Sequence, residues 1–205
     1  GDGGAEIWVR WMDTGQEAKL TNLTESPGSL TWSPDGEAIA FTMFVPEHRT
    51  PLDVKMPRAP EGADWGPPIT VIDKMKYRAD GNPAFVRDGY THVFVAPAGD
   101  PESAKAVTND TYRGIRNYFW APNSTYIYFI QDQGGDENYH VYSSEVASGE
   151  VRDLTPVKEG ARATIEAVSL DRPDHIVVGI NERDPQIFDL YRVDVTTGER
   201  ELLKE

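Results

Sequence analysis

The strongest constraint on this chain is that it repeats itself. A strand–turn–strand unit reads Leu30-Thr31-Trp32-Ser33-Pro34-Asp35-Gly36 and then Ala38-Ile39-Ala40-Phe41. It returns as Tyr118-Phe119-Trp120-Ala121-Pro122-Asn123-Ser124 and then Tyr126-Ile127-Tyr128-Phe129. A degenerate third copy reads Ala167-Val168-Ser169-Leu170-Asp171-Arg172-Pro173-Asp174 and then Ile176-Val177-Val178. Proline fixes φ at the turn, and Asp, Asn and Gly tolerate the conformations that follow it. Trp32, Pro34, Asp35, Gly36, Trp120, Pro122, Asp171 and Pro173 are therefore read as structural residues of the repeat.

A second hairpin alternates with the first. Its copies are Ile7-Trp8-Val9 with Lys19-Leu20-Thr21, His92-Val93-Phe94-Val95 with Ala106-Val107-Thr108, His140-Val141-Tyr142 with Asp153-Leu154-Thr155, and Leu190-Tyr191-Arg192-Val193 with Glu201-Leu202-Leu203. Three of the four carry Thr-Gly or Ser-Gly between the strands, at Thr14-Gly15, Ser148-Gly149 and Thr197-Gly198. The step from Thr108 to Thr155 is 47 residues, and from Thr155 to Leu203 it is 48. Four short strands in that period make one blade of a β-propeller. The expected fold is all-β: a partial propeller of about 3.5–4 four-stranded antiparallel blades.

The step from Thr21 to Thr108 is 87 residues. The excess lies in 45–89, which holds Pro46, Pro51, Pro57, Pro60, Pro67, Pro68 and Pro83. A run so rich in Pro makes a poor central strand and reads as an insertion between the second and third strands of one blade. The expected organisation is a single propeller piece: 1–44 an outer hairpin and the start of a blade, 45–89 the insertion, 90–116 an outer hairpin, and 117–160 and 161–205 one blade each. Three inner hairpins against four outer ones leave the ring short of closure. Either the chain belongs to a larger ring or copies of it associate to complete one.

Charge narrows the partners. The chain carries 34 Asp and Glu against 20 Lys and Arg, a net charge of −14. Phosphate backbones and anionic membrane surfaces call for the opposite sign. No apolar run reaches the roughly 18 residues of a membrane-spanning helix. The first residue is Gly1 rather than Met, as in a processed chain, and no leader-like segment follows it. Cysteine is absent, which excludes disulfides and thiolate chemistry.

The Trp-Ser-Pro-Asp-Gly turn at 32–36 followed by Ile39-Ala40-Phe41 resembles the TolB-type, WD40-like propeller repeat. Longer stretches resemble the N-terminal propeller of prolyl-oligopeptidase-family serine peptidases, including acylaminoacyl-peptidase-like members. These are Ile7 to Gly15, Phe41 to Pro46, Lys76 to Gly81 and Gly89 to His92. Asn117 to Asn138 and Leu170 to Pro185 are similar to the same superfamily but to a different branch, as in a chimera joined near 95–105. The resemblance implies a propeller that limits access to an active site and helps position peptide substrates. Its catalytic partner would be an α/β-hydrolase domain with a Gly-x-Ser-x-Gly elbow. No such pentapeptide occurs in the 205 residues. The expected function is a non-catalytic, self-associating scaffold. The alternatives are a peptidase piece lacking its hydrolase domain and a small-ligand-binding propeller.

Other candidate sites weigh less. Asp132, Asp136, Glu137 and Asn138 surround Gly134-Gly135 and offer hard oxygens to Ca²⁺. Their spacing is not that of an EF-hand, and the preferred reading is a solvated turn whose Asp and Asn bond their own backbone. His48, His92, His140 and His175 are dispersed, and no cofactor is expected. Trp8, Trp11, Trp32, Trp120, Phe41 and Phe129 are expected to fill the spaces between blades. Trp65 lies in the insertion.

Overall fold

A computed structural model describes residues 5–47, 60–62, 86–100, 103–109, 115 and 117–205. The Lys76–Gly81 motif, Trp65, His48 and most of the Pro-rich insertion lie outside the described residues. Two units are distinguished: Gly1–Val45 with Tyr90–Glu205, and Pro46–Gly89. In the second, the Glu47 N–H donates to the Asp88 carbonyl at 2.9 Å.

The first unit is built of fourteen strands, and no α-helix occurs among the described residues. They are β1 (Trp8–Arg10), β2 (Glu17–Lys19), β3 (Gly28–Trp32), β4 (Ala38–Pro46), β5 (Gly89–Pro97), β6 (Lys105–Ala106) and β7 (Tyr118–Trp120). There follow β8 (Tyr126–Gln131), β9 (His140–Glu145), β10 (Val151–Asp153), β11 (Ala163–Val168), β12 (His175–Asp184), β13 (Ile187–Asp194) and β14 (Arg200–Lys204). Strands β1 and β2 form a two-stranded sheet, and β3–β6, β7–β10 and β11–β14 form four-stranded sheets in simple chain order. The described pairings are all antiparallel. This is a partial propeller of three blades and an outer hairpin. The Pro-rich stretch joins β4 to β5, neighbours in one sheet.

The blades pack face to face because alternate residues of a strand point to opposite faces. On β4, Ile39 and Phe41 join Ile7 and Leu20 of the β1–β2 hairpin, while Ala40 faces the other way and joins Val93 and Trp120. On β8, Ile127 and Phe129 join that second cluster, and Tyr128 joins Val141, Ile176 and Val178 in a third. Three apolar layers thus lie between four consecutive sheets.

Hydroxyl-bearing residues lock the repeat. The Oγ1 atoms of Thr21, Thr108 and Thr155 accept the backbone N–H of Ile7, Val93 and Val141 at 3.0, 3.0 and 2.9 Å. The preceding N–H of Leu20, Val107 and Leu154 returns to the carbonyls of the same three residues, each at 2.8 Å. At the outer turns, Gly15, Gly149 and Gly198 take φ of 71°, 75° and 79°, where a side chain is strained. The hydroxyl before each glycine accepts the N–H after it: Thr14 from Gln16, Ser148 from Glu150 and Thr197 from Glu199. In the first inner turn, Asp35 accepts from the Ser33 hydroxyl at 2.6 Å and from the Glu37 N–H at 3.0 Å. Those bonds, the Ser33 one foremost, hold its carboxyl below the usual range.

One expectation is corrected. Phe41, Phe129 and Trp120 are buried between sheets, but Trp8, Trp11 and Trp32 are about half exposed or more. Trp120 packs against the preceding blade, its Nε1 donating to the Thr31 carbonyl at 3.3 Å. Trp32 has the same place in its own sheet. Among the described residues the sheet before it is only the β1–β2 hairpin, with no inner strand of a preceding blade over its ring.

Candidate functional site

Asp132 and Asp136 sit on the β8–β9 loop, and both are turned onto the loop itself. The Asp132 Oδ2 accepts the Glu137 N–H at 3.2 Å, and the Asp136 Oδ1 accepts the N–H groups of Gln133 at 3.3 Å and Asn138 at 3.0 Å. The Asn138 amide donates to the other Asp136 oxygen at 3.1 Å. The Asn138 N–H lowers the Asp136 pKa from its ordinary value. Gly134, Gly135 and Glu137 all have positive φ, which curls the loop tightly around its carboxylates. Among the described residues no three His, Asp or Glu side chains group to hold a metal. The chemistry read at this loop is that of a self-capped turn. It borders a hollow of about 580 Å³ lined by Thr108, Phe129, Gln131, Gln133 and Tyr142.

The described histidines are separated, each in its own pairing. His92 Nδ1 lies 3.4 Å from the Thr108 hydroxyl, and His140 Nδ1 lies 2.7 Å from Asp153 Oδ2. His175 Nε2 lies 3.9 Å from Asp194. The Asp153 hydrogen bond raises the His140 pKa, and burial opposes it only in part. On the β12–β13 hairpin, Arg183 holds Asp189 through two bonds of 2.9 and 2.6 Å. That pairing lowers the Asp189 pKa, and the carboxylate is almost fully enclosed.

A second hollow of about 390 Å³ opens between the last two blades, lined by Asn117, Ile130, Tyr139, Arg162, Thr164 and Phe188. Arg162 enters β11 with its backbone clamped: its N–H donates to Asn181 Oδ1 at 2.7 Å, and its carbonyl accepts the Asn181 N–H at 3.2 Å. Its guanidinium lies over the Phe188 ring at 5.7 Å. The Ala163 N–H donates to the Tyr139 carbonyl at 2.7 Å and joins the two blades beneath the hollow. Nothing in the sequence brought these residues together, because Asn117, Tyr139 and Arg162 immediately precede β7, β9 and β11, and Ile130 and Phe188 lie on β8 and β13.

Among the described residues, most of the exposed large apolar side chains belong to the first hairpin and first blade or to the last blade. Trp8, Trp11, Met12, Leu30 and Trp32 are in the first group. Val168, Leu170, Ile187, Leu202 and Leu203 are in the second.

No family model matches the chain. Over 118 residues, 58% of this chain, it is 43% identical to the dipeptidyl aminopeptidase BIII of Pseudoxanthomonas mexicana, and the match covers 17% of that protein. It is 27% identical over 105 residues to dipeptidyl peptidase family member 6 of Caenorhabditis elegans, a match covering 49% of this chain and 14% of the relative. The chain thus matches only a minor part of either relative's length. Among solved structures, the acylaminoacyl peptidase of Pyrococcus horikoshii superposes with a TM-score of 0.56 at 14% identity, covering 96% of this chain and 28% of that one. The β-propeller domain of the trilobed protease from Pyrococcus furiosus gives 0.53 at 17% identity, covering 98% and 49%. The chain is a partial β-propeller that is similar in sequence, over part of its length, to a small part of a dipeptidyl aminopeptidase. The solved structures speak for the propeller fold.

Proposed function

We propose that this partial propeller is a non-catalytic blade module of a serine exopeptidase, which gates and positions peptide substrates for a hydrolase domain of the same protein that lies outside these 205 residues. The observation that carries this reading is the 43% identity over 118 residues to a small part of a dipeptidyl aminopeptidase. The apolar ends support it, because a blade series that continues into further blades leaves just such faces for its neighbours. Fold alone would not suffice, since propellers host many chemistries.

The test is hydrolysis of a dipeptidyl p-nitroanilide. The chain by itself is expected to release no chromophore. A gene product that joins it to a Gly-x-Ser-x-Gly hydrolase domain is expected to be active. Turnover by the chain alone, or a parent gene product with no hydrolase domain, would overturn the reading.

The exposed ends also favour a second reading, in which two copies cap each other and act as a scaffold. A concentration-independent dimer by light scattering would support that reading over the first.

A further inference from the structure

We propose that the hollow between the last two blades binds a short peptide by its free α-carboxylate and an apolar C-terminal side chain. The argument starts from Arg162. Unlike Arg183, which is matched by Asp189, the Arg162 guanidinium has no carboxylate partner among the described residues. It stands in a chain with a net charge of −14, where acidic side chains are plentiful. Its backbone N–H and carbonyl are both fixed to Asn181, so the side chain springs from an anchored position immediately before β11. The Phe188 ring holds one face of the guanidinium and leaves its N–H edge free. That edge matches the two oxygens of a carboxylate.

The other lining groups fit the rest of a peptide. The Asn117 amide and the Tyr139 hydroxyl have no hydrogen-bond partner among the described residues, and an amide can both donate to and accept from a peptide bond. Ile130, Ala163 and Phe188 supply an apolar wall for one side chain. The Thr164 hydroxyl is engaged, donating to Glu166 at 2.7 Å. A volume of about 390 Å³ lies at the small end of the range for ligand pockets. A single cation beside apolar walls suits a monoanion; a phosphate would call for more positive charge than this surface offers. The choice of a peptide among carboxylates rests on the peptidase reading. The contact with Arg162 does not.

The experiment is calorimetric titration of the 205-residue chain with Gly-Gly-Phe, its C-terminal amide and 3-phenylpropanoate. Gly-Gly-Phe is expected to bind saturably, and loss of the charge in the amide or in Arg162→Gln to weaken it about tenfold or more. Arg162→Lys is expected to recover part of the loss, because the charge returns without the fork. Asn117→Ala is expected to weaken the tripeptide and leave 3-phenylpropanoate unchanged. An amide that binds as well as the acid, or an unchanged Arg162→Gln, would overturn the site. Equal binding of 3-phenylpropanoate would overturn the assignment to peptides, whatever the hydrolysis assay shows about gating. If Arg162→Gln does not fold, the acid and amide on the unaltered chain still decide.

Discussion

Thr155 stands 14 residues beyond Val141, yet its hydroxyl takes the Val141 N–H inside the sheet. Both residues are fully buried, so water cannot replace that bond. Thr155→Val keeps the shape and removes the acceptor, leaving a buried N–H without a partner. The expected cost is about 1–2 kcal/mol, seen as a fall in Tm of about 2–8 °C by circular dichroism. An unchanged Tm would mean that the shared Thr is a mark of the repeat without energetic weight. His140 offers a pH test. Its pKa is raised in the folded state by Asp153, above the ordinary 6.5 of an unfolded chain. A raised pKa means that the folded state binds the proton more tightly. The stabilisation is therefore complete below pH 6.5 and is lost as pH rises through the folded value. His140→Asn is expected to remove that part of the Tm-against-pH slope that lies above pH 6.5. A parallel slope in the variant would show that the pair does not couple to stability.

At the scale of the element, strand β12 shows how closely the blade strands approach. A Cβ at Gly179 would lie 2.9 Å from Thr164 Oγ1, 3.0 Å from Glu166 Oε1 and 3.4 Å from Phe188 Cβ. The Glu166 tip can swing away. The Thr164 side chain, β-branched and fixed on β11, cannot. Gly179→Ala is expected to cost about 1–3 kcal/mol by overpacking, and Thr164→Ala in the same chain to recover part of it. Chemical denaturation of the two single variants and the double variant reads that coupling directly. Simple additivity would mean that the strands part by moving as bodies. Gly179 thus sits on β12 between Thr164 of β11 and Phe188 of β13, two residues that line the hollow with Arg162.

At the scale of the whole molecule, the blade series stops with apolar groups uncovered at both ends. Met12 is 89% exposed and Leu170 79%. Such surface is expected to drive association, so the mass by light scattering should rise with concentration. Met12→Lys with Leu170→Lys is expected to suppress that rise while changing stability by no more than about 0.5 kcal/mol, since neither side chain is packed. A concentration-independent monomer before substitution would mean that these faces do not seek a partner.

The blade period, the two hairpin types and the turn glycines were legible in the chain, because each rests on local chemistry. A hydroxyl beside glycine closes a turn, and alternation along a strand sends Ile39 and Ala40 to different layers. The fate of the aromatics was not legible. Trp32-Ser33-Pro34-Asp35 and Trp120-Ala121-Pro122-Asn123 are the same local signal. One ring is half exposed and the other buried, because burial depends on whether an inner strand of the preceding blade is there. Arg162 was equally silent. Its neighbours Asn117, Tyr139 and Phe188 lie just before β7, just before β9 and on β13, and only the stacking of one blade on the next brings them to a common hollow. The sequence by itself determined the repeat and the strands it is made of. Tertiary packing decided which faces are covered and where unpaired polar groups meet, since both depend on neighbours that no local pattern encodes.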